Sequence, residues 1–589
     1  PRGRPPLSRR VRLDDLLAVS LFGLFAVGVT GHYWMDPADR VGGNYPDQTL
    51  FEWMLSHAAW SLTHLQNPLF SDRLGAPEGA NIMANTSVLG LAIPLTPVTL
   101  IWGSGVAYAT MITFGFAATA VAWYFVLSRY GGLSRLAAFV GAGFCAFSPG
   151  MLSQGSGHPH IQAQFLLPII AWRSFRLRQA TCPVRDGIVL GLLIALQVFI
   201  GEETLFITAM AVVVCGLVYA VARRREVLAQ LRPPLTGLAV AAAVAAVLLA
   251  YPLYVQFFGP RSYGYLPWVP NFHGDLAAFT RFSELTLAGN PAIHHDPRGQ
   301  IVAEMNASFG WPLLLLVPVM LVWLRRSVAA WTAAIVGVVF AAFSLGTEIN
   351  VRGTATGVPG LWRVLESVPL FKVVIPTRFA LVTAVAIGVL LALTVDRAIR
   401  IPGRRLLGVP RLAWAWGALI MAVLLPLAPR PLTAVGAPQL PRFFASGAYR
   451  PYVGDDRAIS VVPPARPNQL AMMRWAATKH VDFRITEGRF LAPIPGAPDK
   501  EGTLTQPPTH LGNLTGQAVA QGMAPAITDE DRAAVRNELR ARGVALVVMP
   551  ERQLHGPEVR ATTDALVGPG QVVEGMWVWD LCSLGTVPR

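Results

Sequence analysis

Apolar positions in this 589-residue chain fall in long unbroken runs instead of the two-residue alternation of half-buried strands. Eleven runs are candidate membrane spans: 15–34, 105–128, 135–152, 161–174, 187–200, 204–221, 236–257, 310–324, 328–345, 376–395 and 411–430. A straight crossing takes about 20 residues, so the shorter runs are expected to extend into their polar flanks. The 88–103 run is also apolar but holds Pro94 and Pro97, and it reads as a re-entrant or interfacial piece packed against protein. The start, 2–12, is basic and leads into an apolar stretch with no small-residue cleavage site, which predicts a first membrane helix and not a removed signal peptide.

The arginines orient these spans. Basic clusters stand at 2–12, Arg129/Arg135, 173–185, 223–232, Arg325/Arg326 and 397–405. With eleven crossings all of them fall on the N-terminal side, the pattern of cytoplasmic loops, so the N-terminus is expected inside and the C-terminus outside a plasma membrane. Counting 88–103 as a crossing would break that alternation. The outside loops are then 35–104, 153–160, 201–203, 258–309 and 346–375, and they carry most of the loop acids, histidines and aromatics. The chain thus divides into a membrane part, 1–431, and a soluble extracytoplasmic α/β domain, 432–589. In the latter, 458–462 and 544–549 read as buried strands. Residues 529–542 read as an amphipathic helix with Thr528 as N-cap and Gly543 at its end. No internal repeat is evident.

Composition supports the membrane reading. Charged residues are 14% of the chain against about a quarter in soluble domains. The net charge of +14 comes from short clusters between apolar runs, so it does not mark a nucleic-acid binder. Nearly all the basic residues are arginine; Lys372, Lys479 and Lys500 are the lysines. The four cysteines form no disulfide framework or metal spacing.

The candidate chemistry lies in the outside loops. In the first, Asp36, Asp39 and Asp47 precede Leu50, Trp53, Met54, Ala58 and Leu62, which recur at helical spacing. This predicts an amphipathic helix along the membrane surface with Asp47 at its head, either as a helix cap or as a base held near the bilayer. His158 and His160 end the third span and Glu202/Glu203 end the fifth. Acids so near the membrane core need partners. The four side chains could bind a sugar hydroxyl, a phosphate through a cation, or a metal, or they could merely terminate helices. Loop 258–309 adds Tyr263, Tyr265, Trp268, His273, His294, His295 and Glu304, a mixture that suits carbohydrate stacking or an interfacial aromatic belt. Arg378, beside Lys372 at the outer end of a span, could hold an anion or snorkel to the interface. There is no Gly-rich phosphate loop, no nucleotide-sugar domain and no Cys/His zinc spacing, which argues against an ATP-driven pump and favours a lipid-linked donor.

The stretch Asp47-Gln48-Thr49-Leu50-Phe51-Glu52, opening a helix soon after the first span, resembles the GT-C superfamily of polytopic glycosyltransferases, whose pattern there is roughly Asp-Glu-x-x-aromatic-x-Glu. Gln48 stands where that pattern has its second acid, and Glu52 is displaced by one position. Asn67-Pro68, Pro77 to Asn81, Asn85-Thr-Ser87, Phe147-Ser-Pro149, His158, Glu202/Glu203, Glu304 and Pro376-Thr-Arg378 are similar to a bacterial subgroup of these proteins. The resemblance implies transfer of a sugar from a polyprenyl-phosphate donor to a glycan or glycolipid acceptor of the cell envelope. Asp47 would be the general base, with Asp39 and Asp36 in reserve. Glu52, His158, His160, Glu202, Glu203, Glu304, Lys372 and Arg378 would bind substrate. The resemblance fixes no cofactor, and a divalent cation is the candidate it leaves open. Two other readings stay open: a lipid or glycan flippase, and a GT-C scaffold without activity.

Overall fold

A computed structural model describes residues 12–225, 232–290, 302–368, 371–402, 404–406, 409–454, 457–464, 470–505 and 508–585. The chain is mostly helical, with a five-stranded sheet in its C-terminal part and short two-stranded ladders elsewhere. Among the described residues, four helices are long and apolar enough to cross a membrane: Thr96–Tyr130, Glu202–Ala222, Arg232–Phe258 and Pro376–Arg400. The pair Arg135–Phe147 and Pro149–Gly155, bent by 45°, makes a fifth if taken as one span. Trp311–Trp323, Val328–Ser344 and Arg411–Leu427 are shorter apolar helices.

One expected span and the segment read as re-entrant take the following forms. The 161–174 run is not one helix but Pro159–Gln162 and Leu167–Arg176, parted where Gln162 and Gln164 turn inward. The backbone N–H of Gln164 donates to Thr119 Oγ1 (3.0 Å), so polar side chains break the run inside the protein. The 88–103 run enters a turn at Leu89–Ala92 and then begins the long Thr96–Phe125 helix, which is interrupted at Gly103 (φ +87°).

Small residues set how the long helices meet. A Cβ on Gly141 would come within 2.7 Å of both Ala392 Cβ and the Gly388 carbonyl, so Arg135–Phe147 and Ala380–Arg400 cross with backbones close together. Gly187 and Gly191 lie in the same way against Gly237 and Ala241 of Arg232–Phe258. Four-residue spacing of small side chains is the usual device for packing helices in lipid, where no hydrophobic drive separates helix from solvent.

The C-terminal part carries a mixed five-stranded sheet. Its strands run Arg484–Ile485, Ala458–Val461, Val544–Pro550, Met576–Asp580 and Gln571–Val573, parallel across the first three and antiparallel beyond. Positions 544–549 are all buried, which explains their unbroken apolar run. Asp529–Ala541 is a helix closed by a Thr528–Asp531 capping box, and Gly543 follows it at φ +62°.

This sheet-bearing part and the first loop interlock. Arg40–Gly42 pairs antiparallel with Ala434–Gly436, and Ser56 Oγ donates to the Ala477 carbonyl (2.7 Å). The Tyr45–Thr63 helix lies between the Thr96–Phe125 helix and the Ala471–Thr478 helix. The expectation of an amphipathic helix along the membrane surface is therefore corrected. Gln48, Thr49, Glu52, Ser56 and His57 are as buried as Trp53 and Met54, because protein covers the polar face as well as the apolar one.

Candidate functional site

Asn44 and Pro46 open the Tyr45–Thr63 helix and place Asp47 in its first turn. Asp47 caps no backbone group there; its carboxylate receives side chains from three parts of the chain. Asn44 Nδ2 donates to Oδ2 (2.7 Å), His158 Nε2 lies 3.1 Å from the same oxygen, and Arg489 Nε donates to Oδ1 (2.9 Å), with Nη2 in ion-pair contact at 2.8 Å. Burial pushes the Asp47 carboxyl up, but the His158 hydrogen bond and the Arg489 charge outweigh it and hold the group below the usual carboxylate range. The pocket retains some access: 13% of the Asp47 side chain and 16% of Arg489 are exposed.

His158 leads inward. It follows the bent helix pair, and Gly157 lets that loop lie against Asn44, since a Cβ there would meet the Asn44 side chain at 2.6 Å. Its Nδ1 sits 2.9 Å from Gln154 Oε1 and 3.5 Å from Glu304 Oε1. Glu304 accepts from Arg378 Nη2 (2.5 Å) and Nε (3.1 Å) and from Thr377 Oγ1 (3.2 Å). Burial raises the Glu304 carboxyl, and Arg378 and His158 reverse this and leave it lowered. Arg378 Nη1 also donates to Glu203, whose other oxygen accepts from the Ile375 backbone N–H (3.0 Å). A continuous polar chain thus runs Arg489–Asp47–His158–Glu304–Arg378–Glu203. On the far side of Glu304 lies a cavity of about 670 Å³, lined among others by Arg281, Ser283, Asn306 and Thr377.

The structure brings together Asp47, His158, Glu203, Glu304 and Arg378 of the predicted site, packs His160 against His158, and leaves the others outside this network. Arg378 is neither an interfacial snorkel nor a vacant anion site; it is buried between two carboxylates. Glu52 is fully buried in a second network, where Gln48 Nε2 donates to Oε1 (2.7 Å) and Arg474 Nε to Oε2 (3.1 Å), so no substrate reaches it. Burial raises its carboxyl against the opposing effects of Arg474 and Gln48. Glu202 turns away from Glu203 and accepts from Gln256 Nε2 (2.7 Å). His160 is buried between the rings of Phe51 and His158 (centroids 5.2 and 5.6 Å), and burial pushes its imidazole well down. Asp36, Asp39 and Lys372 are exposed and belong to neither network. His294 and His295 lie outside the described residues. Among the described residues, no three His, Cys, Asp or Glu side chains converge as a metal cluster.

Arg489 and Arg474 were not singled out by sequence. Arg489 starts the strand Arg489–Pro493, which Asn85 clamps by donating to the Leu491 carbonyl (2.8 Å) and accepting from its N–H. The Asn85-Thr-Ser stretch is thus a structural hook for the strand that reaches Asp47. No local signal marked it: Arg489 is the one polar residue of Arg489-Phe-Leu-Ala-Pro, so the stretch shows no polar–apolar alternation.

This architecture has counterparts among solved structures. Arabinofuranosyltransferase AftD from Mycobacteria superposes with a TM-score of 0.56 at 13% identity, over 98% of this chain and 40% of AftD. The archaeal oligosaccharyltransferase AglB from Archaeoglobus fulgidus, in complex with an inhibitory peptide and a dolichol-phosphate, superposes with a TM-score of 0.50 at 14% identity, over 91% of this chain and 69% of AglB. At these identities the likeness is one of fold: this chain shares the architecture of both structures. No protein-family model matches the sequence, and no curated protein matches it by sequence.

Proposed function

We propose that this protein is a membrane glycosyltransferase that moves a sugar from a polyprenyl-phosphate donor to a glycan or glycolipid acceptor of the cell envelope, with Asp47 as general base. The observation that carries the reading is the polar chain that joins Asp47 to Glu304, with a cavity large enough for a sugar phosphate beside it. Small-molecule sites occupy about 300–1,000 Å³, and this one falls within that range. The GT-C fold and the dolichol-phosphate bound to AglB support a lipid-linked donor. Eleven crossings, with the basic clusters inside and the 35–104 and 258–309 loops outside, remain our reading of the topology.

Transfer needs a base to take the acceptor hydroxyl proton while the anomeric phosphate departs. Asp47 enters the reaction ionised, so it can accept that proton once the hydroxyl replaces one of its present partners. Arg489, partly exposed with its guanidinium against the carboxylate, is the partner we assign to give way. Released from Asp47, it is positioned to meet the negative charge of the departing phosphate, a role that Arg378 cannot take while Glu203 and Glu304 neutralise it.

The test is transfer from a polyprenyl-phosphate sugar by purified protein, with melting temperature recorded alongside. Asp47→Asn keeps the shape and cannot take the proton. It should fold normally and lose about 10²–10⁴-fold in rate. A normally folded variant that transfers at the wild-type rate would remove Asp47 from the mechanism. The full engagement of Asp47 by three side chains favours a second reading, a GT-C scaffold without activity. Wild-type protein that turns over no lipid-linked sugar would support it.

A further inference from the structure

Helices Glu202–Ala222 and Val328–Ser344 pack tightly at one end and part at the other. Phe206, Ile207 and Met210 meet Val336, Phe340 and Phe343 in one apolar cluster. Towards the basic end this contact stops, and a cavity of about 480 Å³ opens between Leu217 and Val221 on one helix and Trp331 and Ile335 on the other. Arg325 and Arg326 line it as well. All four apolar side chains are more than two-fifths exposed, Val221 at 85%, so in a membrane the groove is open to lipid. The Trp331 ring is held in place, its Nε1 donating to the Arg325 carbonyl (3.1 Å). Among the described residues, no carboxylate is paired with Arg325 or Arg326, and both are exposed.

We propose that this groove binds one anionic glycerophospholipid from the leaflet on the basic side of the protein. An acyl chain fills the apolar walls, and the headgroup phosphate sits against the Arg325 and Arg326 guanidiniums. Charge complementarity selects this occupant. Basic pockets between membrane helices suit anionic headgroups, whereas a zwitterionic lipid brings its own cation to the arginines. A soluble anion would make no use of the apolar walls. Trp331 sits where indoles anchor at a membrane interface, polar edge towards the headgroups and ring towards the chains. The site lies at the opposite ends of these helices from Glu203, so it is separate from the proposed glycosyl-transfer site and does not depend on that function.

Native mass spectrometry of the detergent-purified full chain, titrated with phosphatidylglycerol or phosphatidylcholine, tests the proposal. Phosphatidylglycerol should be retained as a single tight equivalent and phosphatidylcholine should not. Arg325→Gln/Arg326→Gln should weaken phosphatidylglycerol retention about 30-fold, the effect of two arginines at a headgroup. Val221→Trp, at an exposed position that does not challenge folding, should displace the lipid by filling the groove. The exposed pair Arg176→Gln/Arg185→Gln, on another basic loop, should leave retention unchanged. Equal retention of the two lipids, or an equal loss in that second pair, would overturn a specific site in favour of general surface charge.

Discussion

Asp47 and Glu52 stand five residues apart on one helix, and each meets an arginine from the C-terminal part of the chain. Their surroundings differ. The Glu52–Arg474 pair is closed: Glu52 is wholly buried, Gln48 takes its other oxygen, and the Arg474 guanidinium also donates to the Ala38 carbonyl (2.6 Å). The Asp47–Arg489 pair is open on one side and, through His158, continues into the membrane part. The same residue types at neighbouring turns thus give a joint between two regions of the fold in one case and, in the other, the position we propose as reactive. The difference lies in access and in what the second oxygen touches.

The sharpest way to break this contrast is to remove each acid's function in turn. Asp47→Asn should cost about 10²–10⁴-fold in transfer with little change in melting. Arg474→Ala should do the reverse. It leaves Glu52 buried without its counter-charge, a loss of about 3–5 kcal/mol in denaturant unfolding. The fraction that stays folded should still transfer. If Arg474→Ala leaves stability intact, the closed pair is not the joint described here.

Gln48→Glu probes why the second acid is absent. Gln48 Oε1 accepts from the Gly42 N–H (2.7 Å) while its amide donates to Glu52 (2.7 Å). A carboxylate can do the first but not the second, and it would face Glu52 directly. We expect about 1–3 kcal/mol of destabilisation at neutral pH, shrinking as pH falls and one of the two acids takes a proton. A deficit independent of pH would argue against this account.

Arg489→Gln sharpens the open pair and is the smallest change in stability, about 1 kcal/mol for a partly exposed ion pair. Its main effect is on pH dependence. Asp47 is held below its unfolded value, so the pairing stabilises the fold fully above about pH 4 and is lost as pH falls towards the folded value. Without the Arg489 charge, Asp47 is protonated at higher pH. The acid limb of transfer should therefore move up relative to wild type. A pH–rate profile that does not move would show that Arg489 does not set the charge state of Asp47.

Much of the candidate site was legible because its residues break local rules. Acids at 202–203 and histidines at 158 and 160 stand beside apolar runs, and Glu304 and Arg378 sit at helix ends; polar groups in such places need partners. Which partner each would take was not legible. Adjacent Glu202 and Glu203 point to different helices, and Glu52, which reads as part of the site, belongs to a buried joint. Arg489 was hidden because one arginine among the many in the C-terminal part carries no local mark. Its role comes from Asn85, more than 400 residues away in the chain, which fixes the strand beneath it.

The sequence by itself determined the apolar runs, the strand at 544–549 and the Thr528-capped helix, since each follows from periodicity and capping within a few residues of chain. It also determined that chemistry-bearing side chains would gather near helix ends. Only the tertiary structure decided that protein covers the polar as well as the apolar face of the Asp47 helix, that Arg378 is spent on two carboxylates, and that the C-terminal part closes over the site. The physical reason is that burial of a charge depends on groups brought in from distant segments, and no local pattern of hydrophobic and polar positions encodes which segment arrives.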